Sequence, residues 1–336
     1  MATTLTIDSI LDEYGRHYIA GGQNVARLIQ RAFIAAQTES LFGSIVTDDT
    51  QYRMAKTQLG RILQAFQTGW TPIGDIEATP VVLSQFPMKV DLEMTPDAIE
   101  ASWLGFLADG DLDRSKWPLI RWLIEAHILP QIQEDYELNE VYLGKYVAPT
   151  KGVAAAPGTA MNGIRTIINQ GIADSHITPI ILGAIPADPQ AFCDYVEAFA
   201  RGFNIRYKGR AMPICMNTTL AERYARGRQA KYGRDSNFNS PKPIIAGNGD
   251  EIVRIPVEFT NHYVVGLPSM GTSSKLWATP DDNRKKLTKK SVNEKMVRIE
   301  SAKREVAIFT DYYKGVGFPL LEAVFTNDVD LGATVQ

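Results

Sequence analysis

Met88, Val90, Leu92 and Met94 alternate with Lys89, Asp91 and Glu93, a period of two that predicts a strand with one apolar face. Residues 79–86 upstream are also β-prone, and Phe86-Pro87 separates the two runs. The pattern therefore predicts a two-stranded hairpin between Pro72 and Pro96. A lone hairpin is marginal in water, so its apolar face needs a partner surface. An adjacent copy of the chain is the expected one, which makes the residues from Met88 to Met94 the first candidates for contact between subunits.

Elsewhere the period is helical. Val25, Leu28, Ile29, Ala32, Phe33 and Ala36 share one face of a helix over 24–37. A second helix is predicted over 49–66, with Met54, Leu59, Ile62, Leu63 and Phe66 turned inward. Residues 103–113 end in the acidic turn Asp109 to Asp113. Ser115 then stands as an N-cap and Pro118 in the first turn of a long helix reaching Glu140. Leu119, Trp122, Leu123, Ala126, Leu129, Ile132 and Tyr136 form its apolar face, and a kink is expected at Pro130. A loop rich in Gly, Ala and Pro follows over 145–163, then a short helix over 163–171. Residues 177–182 read as a strand, and Asp188 as the cap of a helix ending near Ala200. A strand over 212–216 leads into a polar, basic helix over 218–231. Val253, Ile255, Val257 and Phe259 alternate again, and 297–325 holds three short strand candidates.

The chain has 336 residues, enough for about two domains. Its formal charge of −3 argues against a general nucleic-acid coat. The charge is uneven: residues 1–200 sum to −11 and residues 201–336 to +8. One region of a molecule could thus meet the opposite region of a neighbour. Two cysteines cannot build a disulfide framework or a four-cysteine zinc site. No apolar run approaches the roughly 20 residues of a membrane span, and no secretory signal is read at the N-terminus.

Candidate chemistry is sparse. Asp109, Asp111 and Asp113 begin like a calcium loop, but Arg114 and Ile120 stand where Gly and Glu are required. An acidic turn ahead of a helix N-terminus explains them better. The histidines at 17, 127, 176 and 262 have no ligand-spaced companions, and Cys193 reads as a small core residue. No nucleophile elbow or phosphate-binding loop is present. No catalytic, cofactor-binding or metal-binding residue is therefore assigned. Nine Lys/Arg and one acid, Glu222, lie between Arg201 and Arg234. Within that stretch Arg226, Arg228 and Lys231 are expected to face a neighbouring subunit or solvent rather than bases. Lys285, Lys286, Lys289 and Lys290 read as a solvated loop. A long arm, a projecting hairpin, a long helix and a mixed second half suit a structural protein that exchanges arms with its copies.

The order of elements resembles the HK97-like major capsid proteins of tailed bacteriophages. The resemblance covers most of the chain through short diffuse patterns. These are "FPMKVDLEMTPDAIEASWLGFLADGD" into "KWPLIRWLIEAHILPQIQEDYELNEVYLGKY", and "MGTSSKLWATPDDNRKK" leading to "REVAIFTDYYKGVGFPLLEAVFTND". It points to phages or prophages of Bacteroidetes-type hosts. It implies an α+β fold with an N-terminal arm (1–70), an extended loop (71–97), a peripheral domain with a spine helix (98–175 and 285–330) and an axial domain (176–284). It further implies hexamers and pentamers in an icosahedral shell, built in the host bacterial cytoplasm and holding double-stranded DNA by non-specific contact. Scaffold, portal and decoration proteins are the implied partners, with no cofactor and no membrane. The arm is short, so the scaffold is expected to be separate or already removed. An encapsulin-like compartment with protein cargo is the alternative, and an enzyme of unfamiliar α+β fold a third. Some family members crosslink through Lys and Asn, but Lys89 has no matching acid–amide pattern, so that chemistry is not carried over.

Overall fold

In chain order the strands are β1 (Gly43–Val46), β2 (Gln51–Leu59), β3 (Ile76–Ser84), β4 (Phe86–Met94), β5 (Pro213–Asn217), β6 (Lys242–Ile245), β7 (Glu251–Pro256), β8 (Tyr263–Leu267), β9 (Trp277–Ala278), β10 (Lys285–Thr288), β11 (Arg298–Ala302), β12 (Glu305–Gly317) and β13 (Phe325–Thr326). The helices are α1 (Gln37–Ser40), α2 (123–140), α3 (Ile164–Ala173), α4 (Pro189–Arg201), α5 (Ile205–Lys208) and α6 (Thr218–Tyr232). This computed structural model describes residues 36–95, 123–233, 242–245, 251–290, 298–302 and 305–331. The expected helix over 24–37 (up to residue 35), the 103–113 segment with its acidic turn, and Ser115 and Pro118 at the start of the long helix lie outside these residues.

The chain divides into two units. One takes Met1–Ile34, Lys89–Glu134 and Lys295–Tyr312, the other the remainder. In the first, β11 runs antiparallel to the start of β12 in the register Ile299↔Ile308. Its core is Ile128, Val306 and Ile308, with Met94, Leu123, Ile124 and Ile132 packed against them. Leu123, Ile124, Ile128 and Ile132 recur at helical spacing, so they present one apolar face of α2. The helix is not uniformly α: π-helical turns at Ile124–Ile128 and Tyr136–Glu140 flank an α-helical stretch at Leu129–Asp135. Pro130 is the second residue after the first of these wide turns. Proline has no N–H to donate to an i−4 carbonyl, and wide turns of this kind are one way a helix interrupts its regular ladder.

In the second unit β1 lies parallel to β10 (Gly43↔Lys285), and β10 antiparallel to the end of β12 (Leu287↔Gly315). A second sheet has the order β13-β9-β5-β8-β7-β6, with β5 and β8 parallel. Helices α4 and α6 pack with it around Phe192, Phe199, Ile214, Leu220, Tyr224 and Val264. Their starts are legible in the sequence. Asp188 accepts a hydrogen bond from the Ala191 N–H at 2.9 Å with Pro189 at the first helical position, and Asn217 accepts from the Leu220 N–H at 2.7 Å. At the crossing, a Cβ on Gly227 would overlap the Pro189 carbonyl, whose carbon would lie 2.6 Å away. Glycine is what lets the two backbones approach.

Three expectations are corrected here. Residues 51–59 form a strand, not a helix, and the burial alternates: Tyr52, Met54 and Lys56 are partly covered, Gln51, Arg53, Ala55 and Thr57 exposed. The hairpin therefore joins β2 to β3, while β4 pairs with β12. Residues 177–182 contribute only the bridge Ile180↔Asn327, because Pro179 and Gly183 interrupt any ladder. The three strands expected over 297–325 are β11, β12 and the start of β13, but β12 is not short: it runs unbroken for 13 residues.

Candidate assembly interface

Strands β2 and β3 form a two-stranded ribbon with nine consecutive pairs, Gln51↔Ser84 through Leu59↔Ile76. At 3.3–3.4 Å per residue it extends about 30 Å. Among the described residues neither strand has a second partner. Pro80 sits within β3 opposite Ala55. The loop over 60–75 is tied by Gly60 N–H donating to the Asp75 carbonyl (3.2 Å) and by the Gln64 amide donating to the Thr71 carbonyl (2.6 Å). Gly74, at φ +92°, makes a turn that a side chain would strain. This tip presents Ile62, Leu63, Phe66 and Trp70 to solvent, with Phe66 95% and Trp70 92% exposed. Contiguous exposed apolar surface of this kind marks an interaction site. Past the middle of the ribbon toward its tip, Lys56 and Glu322 pair at 2.5 Å.

The sequence pointed to other residues. On β4 the alternation holds except at Leu92: Met88 is buried, Val90 and Met94 are partly buried, and Lys89, Asp91 and Glu93 are exposed. Leu92 is exposed as well. Yet Met94 packs in the core of its own unit, so this face is covered at least in part by its own chain rather than left for a neighbour. Lys89 pairs with Asp91 on the solvent side. Arg228 is only 2% exposed and pairs with Glu258, its Nε donating to Oε1 at 2.9 Å. It is committed inside the protomer and is unavailable to an adjacent subunit. Lys231 pairs with Asp194 (2.5 Å) and Glu197 (3.1 Å) across α4. Arg226 is exposed on α6. The Lys285–Lys290 cluster is not a loop but begins as β10. Lys286 approaches Glu39 (3.5 Å), Lys290 approaches Asp48 (3.4 Å), and Lys289 lies over the Tyr313 ring. The residues missed, Ile62, Leu63, Phe66 and Trp70, lie in or next to the segment read as a helix, where apolar positions look like core.

A buried carboxyl joins the end of the arm to the long helix. Glu137 Oε1 accepts from the Thr38 N–H (3.0 Å) and the Thr38 hydroxyl (2.6 Å), and that hydroxyl also meets Ser269 Oγ at 2.6 Å. Glu137 Oε2 is buried without a partner among the described residues. Glu39 lies close enough to repel it, and Lys314 (2.7 Å) and Lys286 pair with Glu39 instead. Burial, opposed by the Thr38 hydrogen bonds, pushes the Glu137 carboxyl up to about 7. In the unfolded chain it ionises near 4.5. Stability from this group is therefore complete below about pH 4.5, falls by about 3 kcal/mol as pH rises to 7, and is level above. Glu137→Gln keeps an acceptor but cannot ionise. Thermal melts of both proteins between pH 5 and 8 should diverge, the wild type losing midpoint relative to the variant as pH rises. Parallel curves would place the proton elsewhere.

Burial pushes the Cys193 and Cys215 thiols up to about 12, so neither is a nucleophile. His127 and His262 are held below their ordinary value by burial. Among the described residues no three His, Cys, Asp or Glu side chains gather to hold a metal, and no helix is long and apolar enough to cross a membrane.

Comparison with solved structures places this architecture. The chain matches the satellite phage P4 procapsid, in a structure that includes the size determination (Sid) protein. The TM-score is 0.52 at 10% identity, covering 94% of this chain and 96% of that one. It matches the capsid of a native GTA particle with a TM-score of 0.51 at 10% identity, covering 92% and 95%. It also matches the holo-SrpI encapsulin complex from Synechococcus elongatus PCC 7942 with a TM-score of 0.50 at 10% identity, covering 96% and 97%. The chain thus has the α+β HK97-like fold of phage capsid proteins. No family model matches it, and no curated protein does.

Proposed function

We propose that this chain is the major capsid protein of a tailed phage or prophage, self-assembling as hexamers and pentamers into an icosahedral head around double-stranded DNA. The observation that carries this reading is the β2–β3 ribbon, a projecting arm whose tip holds two nearly fully exposed aromatic rings. A monomer gains nothing from such a tip, whereas a shell subunit covers it with its neighbour. The extended loop is accordingly moved from 71–97 to 51–84. The peripheral domain (98–175 and 285–330) and axial domain (176–284) keep the bounds the resemblance implies. In this reading the role is structural rather than catalytic, and DNA contact is non-specific. Scaffold, portal and decoration proteins are the partners, assembly takes place in the host cytoplasm, and the host is of Bacteroidetes type. An encapsulin-like compartment is the second reading, favoured by the match to the SrpI complex. Electron microscopy of the protein expressed with and without its genomic neighbours should show closed shells. Nuclease-protected double-stranded DNA inside them supports the head, and protein cargo without DNA supports the compartment. A monomer under every condition of salt and scaffold would sink both.

A further inference from the structure

The turn from β7 to β8 carries a residue that the isolated chain gains nothing by keeping. Phe259 sits at φ +58°, in the left-handed region that a bulky side chain enters only at a cost. Its ring is also 92% exposed. Glycine would relieve the first cost and a polar residue the second. Beside the ring, within the second unit, opens a cavity of about 380 Å³ lined by Lys208, Arg228, Glu258, Thr260, Asn261 and His262. Its walls are tied together: Asn261 Nδ2 donates to the Gly209 carbonyl at 3.2 Å, and Lys208 Nζ to the Arg201 carbonyl at 2.9 Å. His262 is 2% exposed, and neither ring nitrogen has a partner among the described residues. A neutral imidazole in that position lacks an acceptor for its N–H and a donor for its other nitrogen. Glu258 is already paired with Arg228, so Lys208 leaves the cavity with a net positive charge.

We propose that this cavity binds a nucleotide, its phosphate on Lys208 and His262 and its base on the exposed ring of Phe259. One side offers an ammonium and an N–H donor, which suits a phosphate. The other offers an open aromatic face, which suits a base. Between them Glu258, Thr260 and Asn261 supply acceptors and donors for the polar edge of the base. Tyr232 meets the Phe259 ring in a T-shaped contact at 6.2 Å, which holds the ring in place. The volume is in the range of small-ligand sites. A carboxylate side chain would use Lys208 but has no flat face to lay on the ring. A free nucleotide and one unit of an unpaired strand present the same chemistry, and the experiment separates them. The site goes beyond the shell reading and does not depend on it.

The test titrates the full chain with adenosine 5′-monophosphate, inorganic phosphate, a short single-stranded DNA and the same sequence as a duplex, by calorimetry. The nucleotide is expected to bind more tightly than phosphate. Lys208→Met should weaken both on the order of tenfold. Phe259→Gly should remove the nucleotide's advantage over phosphate, again on the order of tenfold. The same variant relieves the turn, so it should not lower the melting midpoint, and lost binding is thereby separated from lost folding. In spectra of the chain with isotope-labelled histidine, the nucleotide should move the His262 ring signals. A single strand bound more tightly than the nucleotide assigns the site to an unpaired strand, and the reverse order to a free nucleotide. Either order upholds the site. No binding of nucleotide or single strand at millimolar concentration, a nucleotide no tighter than phosphate, a duplex bound as tightly as the single strand, Phe259→Gly binding like wild type, or unmoved His262 signals would overturn it.

Discussion

Gly227→Ala is expected to cost the folded chain about 3 kcal/mol, at the upper end for overpacking of a close contact. The direction is the reverse of the ordinary one. In a helix interior alanine is better than glycine by about 1 kcal/mol. Here the added methyl meets the Pro189 carbonyl, with Cys193 Cβ at 3.3 Å beside it. Pro189 is the capped first residue of α4, so the obstacle is backbone held by its own hydrogen bonds and cannot rotate away. Relief requires α4 and α6 to separate, which opens the core they share around Phe192 and Tyr224. Urea unfolding followed by tryptophan fluorescence and far-UV circular dichroism should show a lower midpoint with an unchanged slope. Gly209→Ala supplies the control, because a Cβ at Gly209 would meet nothing within 4 Å. Equal loss at both sites would show that the crossing is not the cause.

Arg228→Ala should be comparably damaging and Arg226→Ala nearly silent, although the two lie two residues apart on one helix. Breaking a buried ion pair by removing one partner typically costs about 3–5 kcal/mol. Glu258 keeps some access to water, its side chain being 29% exposed, so the lower end of that range, about 3 kcal/mol, is expected. Arg226 is exposed on the other side, where substitutions usually stay within about 0.5 kcal/mol. Thermal melts of the two variants at pH 7 decide it. Arg228→Ala assembling poorly while melting like wild type would instead assign the guanidinium to an interface.

The fold was legible where the signal is local. The cap at Asp188, and the alternation along β4 from Met88 to Asp91, are written in adjacent residues and appear where expected. What was not legible depends on distant partners. Residues 51–59 contain good helix formers (Met54, Ala55, Lys56, Gln58, Leu59), and only pairing with β3 some 25 residues later decides for strand. The choice of β12 rather than β3 as the partner of β4 is likewise invisible locally. Arg228 looked like one of a row of surface cations because Glu258 lies thirty positions away. The tip residues suffered the opposite error. An apolar side chain in sequence says that it wants burial, not whether its own chain or another will supply it.

Pro80 has a consequence for how such subunits coexist at high concentration. A two-stranded ribbon has two open edges, and open edges are templates on which further strands add without limit. Within a sheet, proline is tolerated where its nitrogen faces away from the paired strand. An incoming chain therefore finds a missing donor, and a bulky ring, near the middle of β3. If the chain assembles as proposed, newly made copies crowd together with their ribbons exposed before a shell closes. The same residue that leaves the β2 ladder intact removes a rung from the amyloid-like alternative, which disfavours growth into a fibre.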